Sequence, residues 1–243
     1  MDRMIYLSMS GAKATMQRQD VLAGNLANVS TNGFRAELQA FRSVPVQGSG
    51  ASTRVSILET TTGYDPQTGP ISATGRSLDV AMQGNAWLAV QGFDGTEAYT
   101  RAGALDVNSE GLLVTKNGHT VLGEGGPITL PANAQVEVAS DGSISAKVGL
   151  GKPQPVGKLK LVTPETPFQR SDDALFRVAG GGELPADPSA RLQSGALEGS
   201  NVSSIETMVG MIAAARQFES QMKMVQTAEK DEQGAQQLLS VNG

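Results

Sequence analysis

Residues able to do chemistry are few and scattered in this chain. His119 is the sole histidine and follows Asn117-Gly118, so no second imidazole stands ready to share a metal. It reads as an ordinary hairpin residue. Asp172-Asp173 could serve glycosidic chemistry as paired carboxylates, but no motif sets another carboxylate opposite them. A solvated turn or strand edge is the plainer reading. Gly149-Leu150-Gly151-Lys152-Pro153 glances at a phosphate loop. Ala146 holds the place of the first glycine and Pro153 that of the hydroxyl residue, which removes that reading. Gly123-Glu124-Gly125-Gly126 precedes no helical pattern whose dipole could hold an anion. Cysteine is absent, which removes thiolate ligands, thiol nucleophiles and disulfides together. The expectation is therefore no catalytic, cofactor-binding or metal site, and no enzyme.

Bulk composition narrows the partners. The chain has 243 residues, 39% of them hydrophobic and 4% aromatic, which fits a long, partitioned molecule better than one thick core. Net charge is −5, from 19 basic and 24 acidic residues without a basic stripe, so nucleic acid is not expected as a partner. No window approaches about 18 consecutive apolar residues, so membrane insertion is not expected either. The opening Met-Asp-Arg-Met-Ile-Tyr lacks a basic n-region, an apolar run and a cleavage site, against a cleaved signal peptide.

The strongest patterning lies at the two ends. Ile5, Met9, Ala12, Met16, Gln19, Ala23 and Leu26 step by four and three, the spacing of a coiled-coil seam broken only by Gln19. Met208, Met211, Ala215, Phe218, Met222 and Val225 do the same, continuing through Ala228, Glu232, Ala235 and Leu239. Ser203-Ser204-Ile205-Glu206 matches a capping box for the second helix. The helices would be roughly 40 and 55 Å long. Gly11, Gly24, Gly210 and Gly234 weaken them, each by about 1 kcal/mol relative to alanine. Eight of the nine methionines, all but Met82, lie in these stretches, and methionine adapts to irregular neighbours. Two readings stay open and compatible: an intramolecular helical hairpin, and a seam completed by other subunits.

Between the ends the texture changes. Residues 37–77 and 181–196 read as extended connectors, and 78–180 as a compact antiparallel β-domain. Leu78-Asp79-Val80-Ala81-Met82 alternates, and Trp87-Leu88-Ala89-Val90 is a short buried run. Asp94-Gly95, Glu110-Gly111, Asn117-Gly118 and Asp141-Gly142 signal hairpin turns. Strands are expected at 136–138, 144–148, 158–162 and 175–178. The fold class expected is α+β: paired long N- and C-terminal helices, coiled-coil-like, with an inserted antiparallel β-domain. Residues 1–36 and 197–243 would form the terminal helical assembly domain.

The first helix closes on Asn25-Leu26-Ala27-Asn28-Val29-Ser30-Thr31-Asn32-Gly33-Phe34-Arg35. Asn25 and Asn28 share a face at its end, Asn32-Gly33 suits a sharp stop, and Phe34 anchors the departing chain. Physics alone does not separate a well-made helix cap from an assembly contact.

That segment resembles the N-terminal signature of bacterial flagellar rod and hook proteins. The resemblance runs nearly end to end: Thr74-Gly75 with Leu78-Asp79-Val80-Ala81, Gly84 and Trp87; Tyr99-Thr100-Arg101-Ala102-Gly103; and Leu197-Glu198-Gly199-Ser200-Asn201-Val202. An aromatic pair usual after the glycines is reduced here to Trp87-Leu88. Met9-Ser10-Gly11-Ala12, Ala215-Arg216-Gln217-Phe218-Glu219 and the chain length are similar to the proximal-rod members. The resemblance implies a structural subunit of the proximal rod, the shaft that transmits torque for motility, with distal-rod or hook placement as the alternative. A peptidoglycan-active enzyme on helical arms is a remote one. It also implies synthesis in the cytoplasm, export through the flagellar type III apparatus, and assembly in the periplasmic basal body. Partners would be further copies, neighbouring proximal- and distal-rod proteins and that export apparatus. The assembly interface would comprise Ile5, Met9, Met16, Asn25, Leu26, Asn28, Thr31, Gly33, Phe34, Asn201, Met208, Met211, Phe218, Met222 and Val225.

Overall fold

A computed structural model describes residues 2–45, 55–149, 151–171 and 173–241. The chain divides into two compact units: Met1–Val29, Glu37–Tyr64 and Val202–Gly243 form the first, Ser30–Ala36 and Asp65–Asn201 the second.

In the first unit, α1 (Asp2–Ala27) and α2 (Ser204–Val241) are helices of 26 and 38 residues. Near the end of α1 the Asn28 side-chain amide donates to the Gly24 carbonyl at 2.9 Å, occupying an acceptor the last turn leaves open. Ser203 caps α2: its carbonyl accepts from the Thr207 amide at 3.0 Å and its hydroxyl from the Glu206 amide at 3.4 Å. Strands β1 (Glu37–Pro45) and β2 (Val55–Tyr64) pair antiparallel from Glu37↔Tyr64 to Pro45↔Val55, with a register shift at Gln39/Ala40. A long two-stranded ribbon thus occupies part of the stretch read from sequence as a connector.

The expected coiled-coil-like pairing is overturned. A coiled coil buries its a and d side chains in the facing helix, yet Met9, Met16, Met208 and Met222 are exposed. Among the described side chains the buried positions are Ser8, Ala12, Thr15 and Asn25 on α1 and Thr207, Ala214 and Ala228 on α2, of which only Ala12 and Ala228 belong to the seam read from sequence. Ser8, Thr15 and Thr207 each sit one residue before a predicted methionine, about 100° round the helix. Ile5, Met211, Phe218 and Val225 are half-buried. Where the helices meet, Gly11 faces the Gln221 side chain and Gly210 faces Leu22. Small residues make the approach, and the large apolar side chains on which the seam was read lie to one side. The side chains of Glu232, Ala235 and Leu239 fall outside the described set.

Among the described residues the second unit is built of short antiparallel strands. In chain order they are β3 (Ile71–Ala73), β4 (Val80–Met82), β5 (Trp87–Gln91), β6 (Glu97–Thr100), β7 (Leu105–Val107) and β8 (Leu113–Thr115). Next come β9 (Thr120–Gly123), β10 (Gly126–Pro127), β11 (Ala134–Val138), β12 (Ser143–Val148) and β13 (Gln154–Lys158). The last are β14 (Leu161–Val162), β15 (Gln169–Arg170), β16 (Phe176–Arg177), β17 (Leu192–Ser194) and β18 (Ala196–Glu198). The main sheet runs β15-β16-β6-β5-β9-β8-β7, with β14 added along β5 and β10 along β9. A second sheet runs β11-β12-β13, while β17 pairs β4 and β18 pairs β3.

The alternation read from sequence explains the packing. Trp87-Leu88-Ala89-Val90 lies in β5, between β6 and β9 in the main sheet, which is why it reads as a continuous apolar run. The hairpin dipeptides turn the chain where expected; at Asn117-Gly118 the Gly118 φ of 88° lies in the region glycine adopts without strain. An aliphatic core of Val80, Met82, Leu88, Leu105, Leu113, Val121 and their neighbours fills the body. Burying each such side chain contributes roughly 1.5–3 kcal/mol. The late strands β17 and β18 return to the earliest strands of this unit, so its chain ends are fastened side by side.

Candidate functional site

On the first unit, the helices leave apolar side chains in solvent. Ile205 is 75% exposed and Tyr6 66%, and Met9, Met16, Met208, Val209 and Ile212 are each at least half exposed. Six large apolar groups within the first nine residues and the first turns of α2 are more than scattered surface hydrophobics, which occur singly. Asn25 behaves differently. It is buried; its side-chain nitrogen donates to the Glu37 carbonyl at 3.0 Å, and its oxygen accepts from the Glu37 amide at 2.8 Å. This one side chain ties the end of α1 to the start of β1. Leu26 is half-buried.

On the second unit, the remaining signature residues turn inward. Gly33 is buried, with φ 69°, and its amide donates to the Glu198 carbonyl at 2.8 Å. A Cβ there would lie 2.2 Å from the Arg101 carbonyl carbon, so only glycine fits. Thr31 is exposed, but its carbonyl accepts from the Phe34 amide at 3.2 Å. Phe34 is buried beneath the Arg170 guanidinium, 4.4 Å from its ring centre. Asn201 accepts from the Ala36 amide at 2.6 Å and donates to the carbonyls of Asp65 at 3.2 Å and Gln67 at 2.9 Å.

At the centre of these contacts lies a group of charges the sequence reading did not single out. Arg35, Arg101 and Glu198 are each at most 2% exposed. Glu198 Oε1 accepts from Arg35 Nη2 at 2.9 Å and from the Gly69 amide at 3.1 Å. Its Oε2 accepts from Arg101 Nε at 2.8 Å and Nη2 at 2.6 Å. Arg101 Nη1 donates to the carbonyls of Gly84 at 2.8 Å and Ala86 at 2.6 Å, and Nη2 to that of Met82 at 3.0 Å. All five Arg101 donors are therefore used. The guanidinium also lies 5.8 Å from the Trp87 ring, part of an aromatic group with Phe168, Phe176 and Tyr99. The signal available in sequence was the presence of a charged residue inside each signature block, at Arg35, Arg101 and Glu198.

The remaining chemistry-bearing residues are fixed in structural roles. His119 is buried against Phe93, with ring centres 4.4 Å apart. The structure does set a carboxylate near Asp173, namely Asp94, but Arg177 stands between them, 2.7 Å from Asp173 and 3.1 Å from Asp94. The Asp94 carboxyl is held below its usual range by hydrogen bonds from Thr96, with help from Arg177. Burial pushes Asp173 up, but hydrogen bonds from Arg177 and the Leu175 amide outweigh it and leave it lowered. Two carboxyls both lowered and sharing one arginine are poorly placed to donate a proton. Leu150 and Asp172 lie outside the described residues; Gly151-Lys152 falls between β12 and β13, with no helix following. Burial pushes the Tyr99 phenol up, reinforced by its bond to Glu97, itself paired with Lys160 at 2.7 Å. Among the described residues no helix is long and apolar enough to cross a membrane.

One unit carries helices with exposed apolar faces and the other is a closed β-body, and sequence comparison identifies the class of protein built this way. Residues 5–35 match the profile described as flagella basal body rod protein, 81–146 the flagellar hook protein FlgE/F/G D1 domain, and 193–238 the flagellar basal body rod FlgEFG protein C-terminal. The chain belongs to the flagellar basal-body rod protein family and within it is FlgF-like. It is 49% identical to the flagellar basal-body rod protein FlgF of Salmonella typhimurium and 46% to that of Escherichia coli, over the full length of both chains in each case. It is 33% identical to the rod protein FlgG of Bacillus subtilis, over 94% of this chain and 96% of that one.

Proposed function

We propose that this rod protein serves as an axial subunit of the proximal rod, the part of the flagellar shaft that carries torque. It is a structural rather than a catalytic role, located in the basal body among other basal-body components. The observation that carries the reading is the row of exposed apolar side chains on α1 and α2, including Tyr6, Met9, Met16, Ile205, Met208 and Ile212. Burying such side chains against neighbouring subunits would gain roughly 1.5–3 kcal/mol each. Of the interface residues expected from sequence, Met9, Met16, Met208 and Met222 are available for such contact. Ile5, Leu26, Met211, Phe218 and Val225 would contribute at its margin. Asn25 ties α1 to β1 within the helical unit, Gly33, Phe34 and Asn201 are engaged within the β-body, and Asn28 and Thr31 lie in the turn that follows α1.

Export through the flagellar type III apparatus fits the same chain. It has no cysteine and therefore no disulfide, so threading it unfolded requires no covalent bond to be broken. Assembly in the periplasmic space follows from that route. Electron microscopy of basal bodies from a strain lacking the gene, alongside a swimming assay, tests the reading. Structures that stop before the distal rod are expected. A complete rod without a hook would move the protein to the hook, and normal flagella would overturn the axial role.

A further inference from the structure

Three stretches far apart in the chain meet at one carboxylate. Segment 30–36 contributes Arg35, the stretch after β6 contributes Arg101, and β18 contributes Glu198, whose backbone carbonyl also accepts from the Gly33 amide. Ala36 and Asn201, which bond alongside, are separated by 165 residues. Arg101 holds the carbonyls of Met82, Gly84 and Ala86 and is anchored whether or not Arg35 is present. Arg35 pairs with Glu198 at 2.9 Å and is only 2% exposed. A buried guanidinium deprived of its carboxylate is strongly disfavoured, and adjacent Arg101 would repel it as well.

We infer that Glu198 is the positioning residue that docks segment 30–36 onto the β-body, acting as a charge latch that the C-terminal end of the body supplies to the N-terminal signature. Without β18, the N-terminal segment would bring a second positive charge to a site already holding Arg101. Packing around Gly33 and Phe34 gives the segment its shape; Glu198 decides whether it stays.

The test uses the isolated full-length protein, so its outcome does not depend on the role proposed in the rod. Limited trypsin digestion is followed by mass spectrometry at the bond after Arg35, with amide exchange in β5 and β9 as the control for the fold. Glu198→Gln, of the same shape without the charge, is expected to be cut there roughly a hundredfold faster than wild type while β5 and β9 stay protected. Glu198→Asp, shorter but charged, is expected to be cut more slowly than Glu198→Gln. Wild-type cleavage in Glu198→Gln, or faster cleavage in Glu198→Asp than in Glu198→Gln, would show a space-filling role and overturn the latch. Should Glu198→Gln lose β5 and β9 protection, Arg35→Gln decides, because it leaves the Glu198–Arg101 pair intact. Faster exchange at the Gly33 and Ala36 amides with a protected β5 is then expected, and unchanged exchange there would overturn the inference.

Discussion

The two units of this protein use their side chains in opposite ways. The β-body closes upon itself: its aliphatic residues are covered, and its buried charges are paired at Glu198. The helical unit leaves large apolar groups in water and uses serine, alanine and threonine for its own internal contact. Water-exposed methionine and isoleucine contribute little to the stability of the monomer. They make sense as material for contacts with other molecules. Apolar periodicity alone therefore does not say which face of a helix its own chain covers.

Substitutions should therefore split by unit. A large local loss is expected from Glu198→Gln, which leaves the buried Arg35 guanidinium without its carboxylate and should loosen segment 30–36 by about 3 kcal/mol. Amide exchange at Gly33 and Ala36 would measure it. Leu88→Ala in β5 should cost about 2–5 kcal/mol, because Leu88 is fully buried in the sheet, and urea titration followed by Trp87 emission would measure that. In the helical unit Asn25→Ala should cost about 1–3 kcal/mol, since it leaves the Glu37 backbone groups without their partner. Amide exchange at Glu37 would detect it. Met9→Ala should change monomer stability by no more than about 0.5 kcal/mol. A loss comparable to that of Leu88→Ala would mean that Met9 is covered within the subunit, and the contrast would fail.

The smallest effect expected is one of pH. Hydrogen bonds from Ser189 and Thr163 hold the Asp187 carboxyl at about 2, below its ordinary 3.8. A lowered carboxyl contributes stability that is fully present above the ordinary value and is lost as pH falls through about 2. Asp187→Asn should flatten the stability profile slightly between those two values, and leave it unchanged at neutral pH apart from a constant offset. A flattening above pH 5 instead would contradict this assignment.

Much of the β-body was legible in sequence because its signals are local. Asp94-Gly95, Asn117-Gly118 and Asp141-Gly142 specify their own turns, and Trp87–Val90 specifies a covered strand. The helices were legible as helices, but their packing was not. Four-and-three spacing fits Met9 and Met16, yet it fits Ser8 and Thr15 equally, and hydrophobicity favoured the wrong column. Only the glycines at 11 and 210, which allow Gln221 and Leu22 to approach, mark the true face. The Arg35–Glu198–Arg101 group was hidden for another reason. Each residue reads as an ordinary surface charge, and nothing in a single sequence says that three positions so far apart share one buried site.

Use of the exposed helix faces in assembly is open to a direct test. Basal bodies would be imaged by electron microscopy from a strain whose only copy carries Met9→Glu with Met208→Glu, and the purified variant melted beside wild type. Truncated rods and lost swimming are expected, with an unchanged melting temperature. Complete rods and normal swimming, with both glutamates in place, would contradict it.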